Sequence, residues 1–434
     1  VNLLGAFVNA FKVPDLRRKI LFTLMIIAVY RFGAHVPTPG IDVKAAQSLA
    51  QQGAPTGALS FINLFSGGAL AQMAIFALGI MPYITSSIIM QLLTVVIPRL
   101  EAWSKEGEQG YKKITQWTRY LTVILAILQS TGLAFLLHRG QLGRRGGTDT
   151  GIDLLPNFSA PRVALVVLSL TAGTALIMWL GELITARGIG NGMSILIFTS
   201  IVSSLPGEGK GILDQKGLGT FLIVVAIGLA IIVAIVIMEQ GQRRIPVQYA
   251  KRVVGRKMYG GSSTYIPLKV NQAGVIPIIF ASSVLYIPTL LQNVIQNQGV
   301  QDFISNNLVN AASGVYMVIY GLLVVFFAYF YTAITFNPAD VADNMKKYGG
   351  FIPGIRPGRA TAEYLDRILT RITLPGALFI ATIALLPSIF LATQNIRNLP
   401  FGGTSILITV GVTLETMKQI ESQLMMRHYE GFLK

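Results

Sequence analysis

Long apolar runs recur from one end of this chain to the other, far more than a water-soluble core could bury. Their approximate bounds are 20–36, 73–97, 114–137, 163–185, 189–205, 218–238, 273–291, 314–336, 372–391 and 404–425. Each is about 17–25 residues long, the length an α-helix needs to cross a bilayer. In lipid a backbone must satisfy its own hydrogen bonds, so continuous apolar runs of this length fold as helices. The chain is 52% hydrophobic and only 12% charged, about half the charge of a soluble domain. These features predict an all-α multi-span membrane protein with ten transmembrane helices and both termini on one side. The first run has no small-residue cleavage site and is followed by further spans, so it reads as a span rather than a removable signal peptide.

The basic residues choose the side. With the N-terminus inside, and with Arg119 and Lys418 at the cytoplasmic ends of their spans counted with the adjoining segments, the cytoplasmic side holds 26 of the 35 Lys and Arg residues, as the positive-inside rule requires. Both termini are therefore expected in the cytoplasm. The outer loop 138–162 runs against the rule, with Arg139, Arg144, Arg145 and Arg162 beside Asp149 and Asp153. The net charge of +16 is largely topological and is weak evidence for RNA. Near the start, Leu3, Leu4, Phe7, Val8 and Phe11 form a stripe followed by Lys12, Arg17, Arg18 and Lys19. That pattern reads as an interfacial amphipathic helix or as a surface helix packed on the bundle.

The most interrupted stretch is 61–98. A short apolar segment, Phe61, Ile62, Asn63, Leu64 and Phe65, is broken by Ser66, Gly67 and Gly68, and Ala69 and Leu70 follow. Gly79 and Pro82 then interrupt the next span. A Gly-Gly break lets the preceding segment fold back. Such a half-element can lie at membrane depth only where protein or water surrounds it. The stretch predicts a stopper or re-entrant piece.

Two cytoplasmic loops exceed what topology needs. Loop 241–271 carries seven basic residues and no acid around a Gly-rich centre, the pattern of a protruding hairpin. Loop 337–371 opens with Asn337-Pro338, a cap and first turn for a short helix. A rigid FIPGIRPG turn presents Arg356, and another helix starts near Thr361. Solvated loops are the plain reading. Basic tips on long projections also suit a large anionic partner, such as ribosomal RNA or an acidic protein surface.

Enzyme chemistry finds no support. Cysteine is absent, and the three histidines, His35, His138 and His428, are scattered. No P-loop spacing occurs; Gly207-Glu208-Gly209-Lys210-Gly211 lacks both the spacing and the following Ser/Thr. No cofactor or metal is expected, and work must come from a partner or a gradient. A secondary transporter of a small solute is the rival, since Gly/Pro-broken spans mark that class. Transporters, however, place ionisable groups at mid-membrane. Here Glu182, Arg187, Glu239, Glu415 and Lys418 fall near span ends and read as interfacial anchors. Arg31, late in the first span, is expected to reach the interface. By periodicity Ile80 and Ile84 share a helix face, as do Ile197 and Ile201. Ile279 follows Pro277, and Ile408 lies early in the last span. All six read as ordinary membrane isoleucines.

FALGIMPYITSSIIMQLL, WLGELITARGIGNGMSILIF, GQRRIPVQYAKR, LKVNQAGVIPIIFASS, FNPADVADNMKKYGGFIPGIRPG and FGGTSILI resemble, in order and along nearly the whole chain, the SecY family of bacterial protein-conducting channel subunits. The resemblance implies two inverted, pseudo-symmetric halves, 1–206 and 207–434, around a central pore. It implies a plug at 61–70 and a pore ring of Ile80, Ile84, Ile197, Ile201, Ile279 and Ile408. It also implies a lateral gate with Thr85, Gln91 and Asn271 as polar candidates. Arg243, Arg244, Lys251, Arg252, Arg256 and Arg356 would dock the ribosome or the SecA motor ATPase. SecE and SecG are the implied membrane partners. The implied clients are signal peptides and nascent polypeptides, passed across the bacterial cytoplasmic membrane or released into its lipid.

Overall fold

The computed structural model describes residue 11 and residues 13–42, 63–138, 159–249, 252–254, 257–259, 263–292, 298–310, 312–394 and 403–430. Helices α1 (Pro14–Gly33), α2 (Met81–Val96), α3 (Pro98–Lys105), α4 (Glu108–His138), α5 (Ala160–Arg187) and α6 (Gly192–Gln240) come first. Strands β1 (Gln242–Tyr249), β2 (Arg252–Val254), β3 (Lys257–Tyr259) and β4 (Ser263–Lys269) follow. Then come α7 (Ile276–Gln292), α8 (Gln298–Ile304), a π-helical turn, α9 (Gly314–Thr335) and α10 (Pro338–Lys347). The chain continues through β5 (Gly350–Phe351), α11 (Arg359–Gln394) and α12 (Gly403–Glu430).

A helix covers part of every expected span, but four boundaries differ from the sequence reading. Pro14, whose missing N–H is no loss in a first turn, starts α1 ahead of residue 20. The span expected at 73–97 is helical only from Met81; Met73–Ile80 is a run of turns. Its backbone is taken up by the segment after α1: Thr38 N–H donates to the Met73 carbonyl and Ile75 N–H to the Val36 carbonyl, both at 2.9 Å. The outer loop expected after residue 205 is helical instead, and α6 runs through Pro206 with its break concentrated at Gly217. The helix foreseen near Thr361 and the span after it are one helix, α11.

Among the described residues, five helical stretches are long and apolar enough to span a membrane by themselves, or six if α2 and α3, bent by 101°, count as one. Other expected spans are short, as α2 is, or carry charges. Arg17, Arg18 and Lys19 lie in α1, and Glu415, Lys418 and Glu421 in α12.

Two helix groups pack side by side. In one, α4 packs along α2 and α5, while α5 also meets α1 and α6. In the other, α9 packs along α7 and α11. A long α6–α12 contact joins the groups, whereas α2 touches α7 only sparsely. Small polar side chains tie the helices together, as expected where lipid supplies no hydrophobic drive between helices. Ser86 donates to the Thr118 carbonyl (2.7 Å), Tyr30 and Ser200 share a hydrogen bond (2.6 Å), and Ser282 and Tyr320 share another (3.3 Å). Glu182 does not act as a lone interfacial anchor. It pairs with Arg119 across α4 and α5 at 2.7 Å, which satisfies both charges locally.

β1 lies between β4 and β5 in an antiparallel sheet, with Ile245 opposite Ile266 and Gln248 opposite Phe351. β2 and β3 make a second small ladder. The hairpin expected in 241–271 is therefore present. The Asn337 cap is too, its side chain accepting from Ala339 N–H at 3.1 Å.

Candidate functional site

The main buried cluster runs through most of the long helices and holds many isoleucines, Ile26, Ile177 and Ile380 among them; the six singled out by the resemblance come from four elements and lie in it or against it. Ile80 caps α2 and Ile84 lies one turn in; Ile197 and Ile201 come from α6, Ile279 from α7 and Ile408 from α12. Five of them are buried and Ile84 packs against the cluster from its edge. Local chemistry sets the approach of each. Asn191 caps α6, its side chain accepting from the Met193 and Ser194 amides, and so fixes where Ile197 and Ile201 face. Pro82 sits in the first turn of α2, where it is preorganised for the helix.

Against this cluster lies the stopper segment. Phe61 and Ile62 lie outside the described residues. Asn63, Leu64 and Phe65 form a single helical turn, closed by side chains. Asn63 Oδ1 accepts from Ala71 N–H (3.0 Å), and Ser66 Oγ donates to the Asn63 carbonyl (3.1 Å) and accepts from Leu70 N–H (3.2 Å). Phe65, Ser66, Ala69 and Leu70 are buried. Phe65 and Ala69 belong to the same cluster as the six isoleucines. Gly79 admits this packing, since a Cβ there would stand 3.0 Å from the Phe65 carbonyl oxygen.

Arg31, expected to reach the interface, is half-buried and bonded to protein. Its Nη1 donates to the Gly67 carbonyl at 3.1 Å and to Ser203 Oγ at 2.9 Å. These partners satisfy two of the guanidinium's hydrogen bonds within the protein. The signal was present as Ser200 and Ser203, three apart on one face of α6.

The gate candidates are dispersed. Thr85 donates to its own helix, at the Met81 carbonyl (3.0 Å), and Gln91 is exposed. Asn271 is buried just before α7, and its Nδ2 donates to Glu239 at the end of α6 and to the Gly274 carbonyl. Glu239, foreseen as an interfacial anchor, thus joins α6 to the start of α7. All three candidates sit on or beside α2 and α7, the pair with the sparse seam.

The two basic loops are one body. Ile245, Val247 and Leu268 from β1 and β4 form a separate buried core with Met345 of α10, Ile352 after β5 and Leu365 of α11. Arg243 and Arg244 are exposed on β1, with the Arg244 guanidinium 4.9 Å from the centre of the Tyr265 ring. Arg252 begins β2, while Lys251 and Arg256 lie outside the described residues. Arg356 is exposed on its turn, whose carbonyl accepts from Thr361 Oγ1 at 2.9 Å.

Residues 74–417 match the family model SecY. The protein translocase subunit SecY of Streptomyces scabiei is 57% identical, over all of this chain and all of that protein. That of Mycobacterium bovis is 54% identical with the same full coverage. In fold the chain is similar to the solved structure of a protein-conducting channel, with a TM-score of 0.62 and 15% identity over 94% of this chain and 92% of that one. It is also similar to Sec61 in a canine ribosome–channel complex, with a TM-score of 0.59 and 15% identity over the same shares.

Proposed function

Because this chain belongs to the SecY family, we propose a division of labour among its parts. The chain is a protein translocation channel and not a small-solute transporter. Residues Ile80, Ile84, Ile197, Ile201, Ile279 and Ile408 form an apolar collar across the path. Residues 61–70 form a plug beneath it. Ten spans in two inverted halves, 1–206 and 207–434, flank the path, with both termini in the cytoplasm of a bacterial cell. The placing of all six isoleucines, from four elements, in or against the one buried core that also holds Phe65 supports this reading.

The physics fits the task. Charges on an unfolded client cost roughly 2.5–3.5 kcal/mol each at the centre of a bilayer on insertion scales. A path through protein removes that cost. A narrow apolar collar repels water and ions when idle, yet branched side chains can part for a polypeptide. A hydrophobic signal segment gains about 0.3–0.6 kcal/mol per Leu, Ile, Phe or Val in lipid. Summed over a segment, that favours exit through a thin seam, and the sparse α2–α7 contact supports a lateral gate there. SecE and SecG would brace the halves from outside.

The test uses the absence of native cysteine. The chain carrying Ile279→Cys is assembled in membranes with cysteine-free partners, and a secretory polypeptide with one cysteine is stalled midway through export. A disulfide that tracks the stalled position is the expected result. Efficient export without a crosslink at Ile279, or at Ile84 and Ile408 in turn, would make the cluster structural only.

Docking is tested separately. The joint sheet body brings Arg243, Arg244 and Arg356 onto a single packed unit, which supports one platform for the ribosome or SecA. Arg356→Glu should lower partner-driven export about tenfold, because a reversed charge in a complementary interface costs on the order of 1–3 kcal/mol. Helix content and assembly should be unchanged, since Arg356 is exposed. Circular dichroism with an export assay measures both.

A further inference from the structure

We propose that Arg31 is the positioning residue that latches the plug: its guanidinium grips the Gly67 carbonyl and Ser203 hydroxyl together, and release of the plug requires this grip to break. The inference rests on the plug reading of residues 61–70.

The geometry joins three elements at one side chain. Arg31 comes from the last turn of α1, Gly67 from the plug turn and Ser203 from α6. Both bonds leave from the same nitrogen, Nη1. The receiving turn is shaped for the contact. Gly67 has φ +65, and a Cβ there would stand 3.1 Å from Arg31 Nη1, Ser200 Cα and Ser203 Oγ alike. A side chain at this position would therefore both strain the backbone and fill the space in which the guanidinium meets the carbonyl. The neighbouring residue fixes α1 against α6 independently, through the Tyr30–Ser200 hydrogen bond. Tyr30 also stacks on Phe76 at 5.7 Å, so the helix holding the latch stays in place whether or not the plug is engaged.

The partners are what make the contact a latch. A carbonyl and a hydroxyl bind a cation with directional, charge-assisted bonds, strong enough to bias a two-state element. Among the described residues no carboxylate pairs with Arg31, so opening need separate no ion pair there. Ser203 keeps a partner when the plug leaves, because its hydroxyl also donates to the Ser200 carbonyl at 2.7 Å. Losing the grip destabilises the plugged state alone, and the equilibrium shifts by that differential amount.

The experiment reads plug position directly. Ser66 is fully buried in the plug, so Ser66→Cys in the chain assembled with its membrane partners reports exposure through its rate of maleimide modification. Arg31→Gln should raise that rate on the order of tenfold in the idle channel, from the loss of a charge-assisted bond. Ser203→Ala should raise it less, and Arg31→Lys should fall between wild type and Arg31→Gln. Export of a precursor with a weakened hydrophobic signal should rise in the same order, a gain that a misfolded channel cannot produce. Unchanged modification in Arg31→Gln and Ser203→Ala, with export at the wild-type level, overturns the latch. The plug reading fails on a different arm. If a stalled polypeptide leaves Ser66→Cys as unreactive as in the idle channel, the segment does not move, and the latch falls with it.

Discussion

Replacing Ile197 and Ile408 together by serine is expected to raise the resting ion conductance of the assembled channel by roughly ten- to hundredfold, because each buried Ile contributes about 1.5–3 kcal/mol to keeping its surroundings dry. Both side chains are buried, at 5% and 1% exposure, in the cluster that also holds Phe65. Serine removes the branched methyls and adds a hydroxyl that hydrogen-bonds water, so the wetted state gains from both changes. A hydrophobic constriction excludes ions by excluding water, and conductance should follow the wetted population. Two positions on different helices are needed because the remaining isoleucines can partly close over one gap. Single-channel recording in planar bilayers measures the effect. An idle conductance equal to that of the parent would place the seal elsewhere and leave the isoleucines as packing alone.

Leu365→Ala should unseat the proposed docking platform without touching a charge. Leu365 is fully buried in the small core that joins β1, β4, α10, the turn after β5 and α11. Truncation of such a leucine costs about 2–5 kcal/mol in transfer and cavity terms. A three-stranded sheet with six buried apolar side chains has little stability to spare, since small domains hold only about 5–15 kcal/mol in total. Amide hydrogen exchange should accelerate in Gln242–Tyr249 and Ser263–Lys269, while protection in the long helices persists. Partner-driven export should fall together with it, although Arg243, Arg244 and Arg356 are intact. Unaltered exchange in the two strands would show that each loop stands without the shared core.

Much of this architecture is legible in the sequence where physics is local. Continuous apolar runs mark the helices because lipid admits little else. Asn337-Pro338 announces its cap, and the glycine-centred basic segment announces its hairpin. What is not local escapes. Ile80, Ile84, Ile197, Ile201, Ile279 and Ile408 look like any other isoleucines, and they share one core with several more, such as Ile177 and Ile380; only the family resemblance singles them out. Nothing in 241–271 or 337–371 alone says that Val247 and Leu365 bury each other's surroundings. Span position suggests an interface for Arg31, but not the carbonyl and serine that bond it, which come from distant segments. The partners of Glu182 and Glu239 are equally invisible in the sequence, Arg119 lying on another helix and Asn271 just before α7. The break at Gly217 rather than in the segment after Leu205 shows a further limit. A polar, glycine-containing stretch reads as loop from composition, yet its backbone can stay helical up to a single hinge residue.

The joining of α6 to α12 has a bearing on how such a channel is made. The two groups of helices share their long contact between a helix from the middle of the chain and the last one in it. Ile408, assigned to the proposed collar, lies on that same helix, α12. During synthesis the proposed ring therefore stays incomplete, and the face of α6 that meets α12 uncovered, until residues 403–430 have left the ribosome. A truncated product is a barrier lacking one wall, with Ile201 and its neighbours unshielded. Assembly of the proposed seal thus waits on α12, and a copy that stops before Gly403 leaves apolar surface of α6 exposed instead of forming a smaller working pore.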